Sequence, residues 1–243
     1  MKIAALYDIH GNLPALEAAV ADMRSFDVEK IVVGGDVLPG PMPNEVMDLL
    51  FELEIPTAFI CGNGDREVLS IRNGASPETV PERYREAVEW VVAELKPAHA
   101  EKAAQWAPTL RFGDVLFCHA TPRSDTDVFF ETTDENRLKP MFEETGAGLV
   151  VCGHTHMQFD RMVGRVRVVN SGSVGSPFGE PGAFWLLIDG GPRLMRTEYD
   201  LREAAERISA ADYPNAQEFA LQSVLNPPSK ERVLERFREV ELR

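Results

Sequence analysis

Short apolar runs alternate with amphipathic stretches through the first sixty residues. Residues 2–7 read as a strand, followed by a helix whose apolar positions Leu13, Leu16, Val20 and Met23 recur at helical spacing. Asn12 is a suitable N-cap for it, and Pro14 is tolerated in a first turn. Lys30–Val33 reads as a second strand, closed by Gly34-Gly35-Asp36. A loop rich in Pro and Gly then leads to Asn44, the expected cap of a helix carrying Val46, Leu49, Leu50 and Leu53. Residues 57–61 form a third strand. This β-α-β-α-β opening implies a parallel sheet with helices packed on it.

Residues 66–110 break the rhythm with Asn73-Gly74, Ser76-Pro77 and two helical stretches, 81–95 and 98–106. They read as a helical insert over one rim, able to shape a substrate pocket, or equally as a plain surface helical pair. Strands resume at Val115–Cys118, 148–152, Val166–Asn170, 183–189 and 193–199, with a helix at 134–144. From Leu201 the chain reads as helical, punctuated by Pro214 and Pro227-Pro228. Its charged tail, 229–243, suits a solvated helix face or a packing arm. With no internal repeat, the simplest description is one domain over 1–243, with the insert at 66–110 and a helical C-terminal extension at 200–243.

A hydrophobic content of 44% with 26% charged residues fits an ordinary globular core. The net charge of −14 speaks against a broad basic groove for nucleic acid. It leaves room for a small phosphorylated ligand, because bound divalent cations would reverse the local potential. Cys61, Cys118 and Cys152 each end an apolar run without forming close pairs, so buried free thiols are expected rather than a disulfide framework. Such thiols suit a reducing compartment, and no run approaches membrane-spanning length, so a cytoplasmic protein without membrane attachment is expected. His99 stands apart from every motif and reads as a surface residue.

The other four histidines fall in short motifs beyond predicted strands: Asp8-Ile-His10, Gly34-Gly35-Asp36, Gly62-Asn63-Gly64-Asp65, Cys118-His119 and Gly153-His154-Thr155-His156. Alone, each has a bland reading: His10 as a helix cap, Asp36 and Asn63 as turn residues, His119 as a strand-end histidine. Open α/β sheets gather ligands at the carboxyl ends of their strands. Five such ends with metal-competent residues point to one convergent site, and the mixed oxygen and imidazole donors suit two divalent ions better than one structural zinc. Walker A, dinucleotide-binding, HExxH and G-x-S-x-G patterns are absent.

This ordered set resembles the calcineurin-like metallophosphoesterase superfamily. Cys118-His119-Ala120-Thr121-Pro122 and Asn170-Ser171-Gly172-Ser173 resemble its small bacterial phosphodiesterase-like branch. The similarity spans nearly the whole chain, most firmly residues 1–65 and 115–190. It implies an α/β fold, a four-layer αββα sandwich of two mixed β-sheets flanked by helices. It also implies a binuclear metal-dependent phosphoesterase, in which water shared by two ions attacks phosphorus. Asp8, His10 and His156 would hold one ion and Asn63, His119 and His154 the other, with Asp36 bridging. Mn, Fe, Zn, Ni or Mg would suit these ligands.

Gly64 departs from the pattern, because many members carry there a histidine that protonates the leaving group. Its absence tilts the expectation towards phosphodiesters and activated esters; as a purely local matter, Gly64 also permits a left-handed turn. Asn12, Arg66 and Arg123 are candidates for contacting substrate, while Asn170, Ser171 and Ser173 are expected to shape the loop after a core strand. The alternatives are a non-enzymatic interaction scaffold on the same fold, or a phosphomonoesterase or protein phosphatase. The expected partner is a small phosphoester, and homo-oligomerisation stays open.

Overall fold

The computed structural model describes residues 1–242. Its elements run β1 (Ile3–Leu6), α1 (Leu13–Met23), β2 (Lys30–Val33), α2 (Pro43–Glu52), β3 (Thr57–Phe59), α3 (Asn63–Arg72), α4 (Glu82–Glu94) and α5 (Pro97–Ala103). Then follow β4 (Thr109–Phe112), β5 (Val115–Cys118), α6 (Glu135–Glu143), β6 (Leu149–Cys152), β7 (Phe159–Val163), β8 (Val166–Asn170), β9 (Ala183–Ile188) and β10 (Pro192–Thr197). The chain ends in α7 (Leu201–Ser209), α8 (Ala216–Phe219) with a π-helical turn at Ala220–Leu225, and α9 (Lys230–Phe237).

The strands form two mixed sheets, ordered β10-β9-β1-β2-β3 and β4-β5-β6-β8-β7. In the first, β1, β2 and β3 are parallel, and β9 runs antiparallel to β1. In the second, β5, β6 and β8 are parallel, with antiparallel β4 and β7 at the edges. Strand alternation builds the layers. Ile3, Ala5 and Tyr7 meet Phe117, Val151 and Val169 between the sheets. Ala4 and Leu6 turn the other way, onto Leu16 and Ala19 of α1 and Met47 of α2. Val150, Cys152 and Val168 pack under Leu138 and Phe142 of α6. The result is the helix–sheet–sheet–helix sandwich, with both apolar sheet faces covered.

Some sequence readings need correction. Thr109–Phe112 and Phe159–Val163 are strands that the apolar pattern does not announce, because these edge strands carry Arg111, Asp160 and Arg161 among their residues. Asn44 does not cap α2: Pro43 takes a first-turn position and Met42 becomes the N-cap. The Asn44 side chain instead accepts from Lys96 N and donates to Glu94 O, tying α2 to the α4–α5 junction. His99 is buried, not a surface residue, its ring lying 3.1 Å from Asn44 Oδ1 and 2.9 Å from Asp48 Oδ1. Over the insert, α3 packs with α4 around Val68, Val88 and Val91. No described helix is long and apolar enough to cross a membrane.

Candidate metal centre

Asp8 follows β1 and Asp36 follows β2. Asn63 opens α3 after β3, His119 follows β5, and His154 and His156 follow β6. All seven candidate ligands therefore lie beyond the carboxyl ends of parallel strands. Five of them hold left-handed backbone: Asp8 (φ 53°), His10 (46°), Asp36 (50°), His154 (66°) and His156 (56°). Among the described residues only Asp27 and Asn215 are other non-glycine cases. Such conformations cost about 1–3 kcal/mol each and persist where surrounding structure enforces them. Here the backbone supplies that enforcement: Asp8 N donates to Gly35 O, His10 N to Asp36 O and Gly175 N to Asp8 O. Ser173 Oγ also donates to Asp8 O. A Cβ on Gly153 would come within 2.5 Å of Asp8 Oδ2, so glycine lets this loop close until His154 N donates to that oxygen at 2.8 Å.

Two ligand groups result, Asp8–His10–His156 and Asp36–His119–His154, the donor atoms of each lying within 4.8 Å of one another. Each group draws on both sheets. Asp36 stands between them, with Oδ2 3.7 Å from His10 Nε2 and Oδ1 3.5 Å from His119 Nε2. Three histidines place Nδ1 against backbone carbonyls: His10 on Pro39 O (3.2 Å), His119 on Gly34 O (2.9 Å) and His156 on Ser176 O (2.5 Å). A carbonyl only accepts, so Nδ1–H donates and each Nε2 is the nitrogen left facing the centre, available to an ion once it is unprotonated.

Three observations test whether a cation fits. Asp8 Oδ1 is fully buried without a hydrogen-bond partner, 3.3 Å from His156 Nε2. The Nε2 atoms of His10 and His156 face each other at 3.2 Å, two lone pairs if both rings are neutral. Asn63 sets its side-chain amide 3.0 Å from His154 Nδ1 and 3.2 Å from His119 Nε2, placing a neutral donor beside the Asp36–His119–His154 group. A buried carboxylate oxygen without a partner, set among converging imidazole nitrogens, is what a divalent cation satisfies, and the donor set suits such ions.

Electrostatics agree. Burial works against ionising Asp36, yet His119, His10 and His154 hold its carboxyl well below the usual range. Burial likewise opposes the charge on His119, but Asp36 and Asp8 push it up to about 10. His154 falls to about 4, through burial first and His119 second. Burial and then Asp36 push Asp65 up to about 7, against the backbone N–H groups of Gly62 and Leu38 that it accepts. Asp65 lies beneath the site and organises the backbone around Asp36.

The predicted substrate contacts fare differently. Asn12 is fully buried, accepting from Ala15 N and donating to Gly175 O, so it supports the loop instead of facing substrate. Arg66 and Arg123 line a cleft of about 450 Å³ that reaches His119. Arg66 is forked onto Asp125 (2.6 and 3.2 Å), and Arg123 pairs with Glu144. Asn170 donates to Gly153 O and Thr155 Oγ1, while Ser171 donates to Ala5 O, shaping the His154–His156 loop from below. Gly64 is not left-handed: it is the second residue of α3, and a Cβ there would lie 2.4 Å from Leu38 O. Cys118 and Cys152 are buried, and half-buried Cys61 lines the cleft.

The sequence reading did not single out Trp106 and Asp125, which line the cleft, or Phe178, whose ring stacks on His156 at 5.0 Å. A tryptophan at the end of the insert was the one available signal.

Residues 1–189 match the calcineurin-like phosphoesterase superfamily domain. The chain belongs to the calcineurin-like phosphoesterase superfamily. An uncharacterized protein of Methanocaldococcus jannaschii is 27% identical over 232 residues, covering 85% of this chain and 91% of that relative. A metallophosphoesterase from Sphaerobacter thermophilus superposes with a TM-score of 0.73 at 22% identity, covering 92% of this chain and 98% of its own. A hypothetical protein from Pyrococcus horikoshii does so with a TM-score of 0.76 at 19% identity, covering 94% and 99%. These likenesses show the superfamily fold. Superfamily membership and the two ligand groups together support a phosphoric ester hydrolase using divalent metal. Helices α7–α9 lie beyond the matched superfamily domain.

Proposed function

We propose that this protein is a binuclear metal-dependent phosphodiesterase acting on small phosphate esters. The observation that carries the reading is the convergence of seven candidate donors, five on left-handed backbone and one, Asp8, with a buried carboxylate oxygen that has no hydrogen-bond partner. Asp8, His10 and His156 would hold one divalent ion, Asn63, His119 and His154 the other, with Asp36 between. Bound there, the ions would acidify water and offset charge on the phosphoryl oxygens. The chain's own residues fix the ligands: carbonyls of Pro39, Gly34 and Ser176 set the histidine tautomers, and Asp65 anchors the Asp36 backbone.

The preference for diesters rests on what surrounds phosphorus. A Cβ at position 64 would collide with Leu38 O, so this backbone admits no side chain there to protonate a leaving group. Loss of a general acid lowers rates by roughly 10²–10⁴, most severely for poor leaving groups. A diester carries less charge at phosphorus than a monoester dianion, and both cleft guanidiniums already face carboxylates.

The test is to strip metal, reload with Mn²⁺, Ni²⁺, Mg²⁺ or Zn²⁺, and compare bis-p-nitrophenyl phosphate with p-nitrophenyl phosphate. Both esters release p-nitrophenolate, which needs no acid, so the comparison reads the charge at phosphorus, and the expected kcat/KM favours the diester. The missing general acid should show as a steep loss of rate with esters of poorer leaving groups. A clear monoester preference overturns the diester assignment. Asp36→Ala and His119→Ala should each abolish metal-dependent turnover; a fully active variant removes that residue from the centre.

A further inference from the structure

We infer that the cleft beside His119 receives a planar aromatic group of the substrate, of nucleoside type, stacked against Trp106. This rests on the phosphoesterase reading of the adjacent centre and names the substrate class for it.

Trp106 is not free to move aside. Its ring lies parallel to Phe59, with centroids 5.1 Å apart and planes 9° apart. Phe59 is itself wedged against Phe51, which Lys102 caps at 4.1 Å. One indole face is therefore backed by a packed aromatic column, and part of the residue's remaining surface lines the cleft. Pro108 and Pro122 add rigid apolar wall, and His119 marks the end nearest the ligand groups. A pre-fixed aromatic platform of this kind binds a flat ring with little loss of side-chain freedom.

Charge narrows the occupant. The cleft holds two guanidiniums, but Asp125 takes the fork of Arg66 and Glu144 takes Arg123. A second phosphate would have to displace a carboxylate from each; a neutral base does not. The volume of about 450 Å³ lies within the range of roughly 300–1,000 Å³ found for small-molecule pockets. One nucleoside suits it better than a peptide or polynucleotide, and the net charge of −14 weighs against a long polyanion.

The experiment uses the metal-loaded, full-length protein with adenosine 5′-monophosphate, ribose 5-phosphate and inorganic phosphate. Each is titrated twice: as an inhibitor of bis-p-nitrophenyl phosphate turnover, and by isothermal titration calorimetry, which needs neither activity nor Trp106 as a reporter. Base stacking predicts that the nucleotide binds about tenfold tighter than ribose 5-phosphate. Trp106→Ala should erase that advantage while leaving ribose 5-phosphate and phosphate within about twofold of wild type. Trp106→Phe, which keeps a ring against Phe59, should retain most of it and covers the case in which Trp106→Ala fails to fold. Equal binding of nucleotide and sugar phosphate by the wild type overturns the inference, as does an undiminished advantage in Trp106→Ala. Absence of any ester turnover alongside nucleotide binding that depends on Trp106 would refute the phosphoesterase reading and leave the aromatic cleft standing.

Discussion

A methyl group placed on Gly64 would sit 2.4 Å from Leu38 O, 3.0 Å from Pro39 Cδ and 3.1 Å from Asp36 Oδ1. What excludes a side chain here is a loop packed on the helix start, rather than a turn that only glycine could make. Gly64→Ala should therefore lower stability by about 1–3 kcal/mol, the usual effect of overpacking, read as a shifted urea midpoint. Gly64→His should be no better tolerated and should not gain monoesterase activity; a stable, monoester-active histidine variant would show that the Leu38–Pro39 loop yields. His99 teaches the complementary lesson. Viewed along the chain it has no partner, because Asn44 and Asp48 lie about fifty positions away on α2. Spacing within a motif is legible in a sequence, whereas a partner brought by packing is not.

At the scale of elements, the parallel strands and their end loops were legible because their cores are continuous apolar runs. Edge strands β4 and β7 were not, since alternating charge there resembles loop. Helix α3 was hidden because it begins at Asn63 itself, so a ligand motif occupied the place where a helix start would be sought. The ligand residues themselves were recoverable from motif order, but the carbonyls that orient them carry no side-chain signature.

Helix α9, in the charged tail, is one element whose role emerges only in three dimensions. Val233, Leu234 and Phe237 pack with Phe178, the residue stacked on His156. Ser223 Oγ meets Ser176 Oγ at 2.9 Å, and Pro228 O accepts from Gly179 N. The C-terminal segment thus grips both sides of the loop that fixes the His156 tautomer. Phe178→Ala or Ser223→Ala should weaken metal binding at the Asp8–His10–His156 group by about tenfold, the scale of other outer-layer supports of metal ligands. Calorimetric titration of the metal-free protein would show this as a loss of affinity in one of two binding events. Unchanged affinity in both variants would reduce the arm to packing.

For the molecule as a whole, protonation of the site is linked to folding. In the metal-free protein His119 titrates at about 10, against an ordinary value of 6.5. A raised histidine contributes stability that is full below the unfolded value and disappears as pH rises through the folded one. The metal-free urea midpoint should accordingly fall between about pH 6.5 and pH 9 as this contribution begins to fade. The metal-loaded protein should lack that decline, because ligation already requires neutral His119. Identical slopes with and without metal would contradict the coupling.

The placement of donors from both sheets in each ligand group has one more consequence. An ion seated there is a clasp between two halves of the sandwich, added to the side-chain packing, hydrogen bonds and ion pairs that already join them. Because such an ion binds the folded chain, supply of free metal governs resistance to unfolding by mass action. Scarcity of the metal would then silence the protein twice, by emptying its reaction centre and by shortening the life of the fold that carries it.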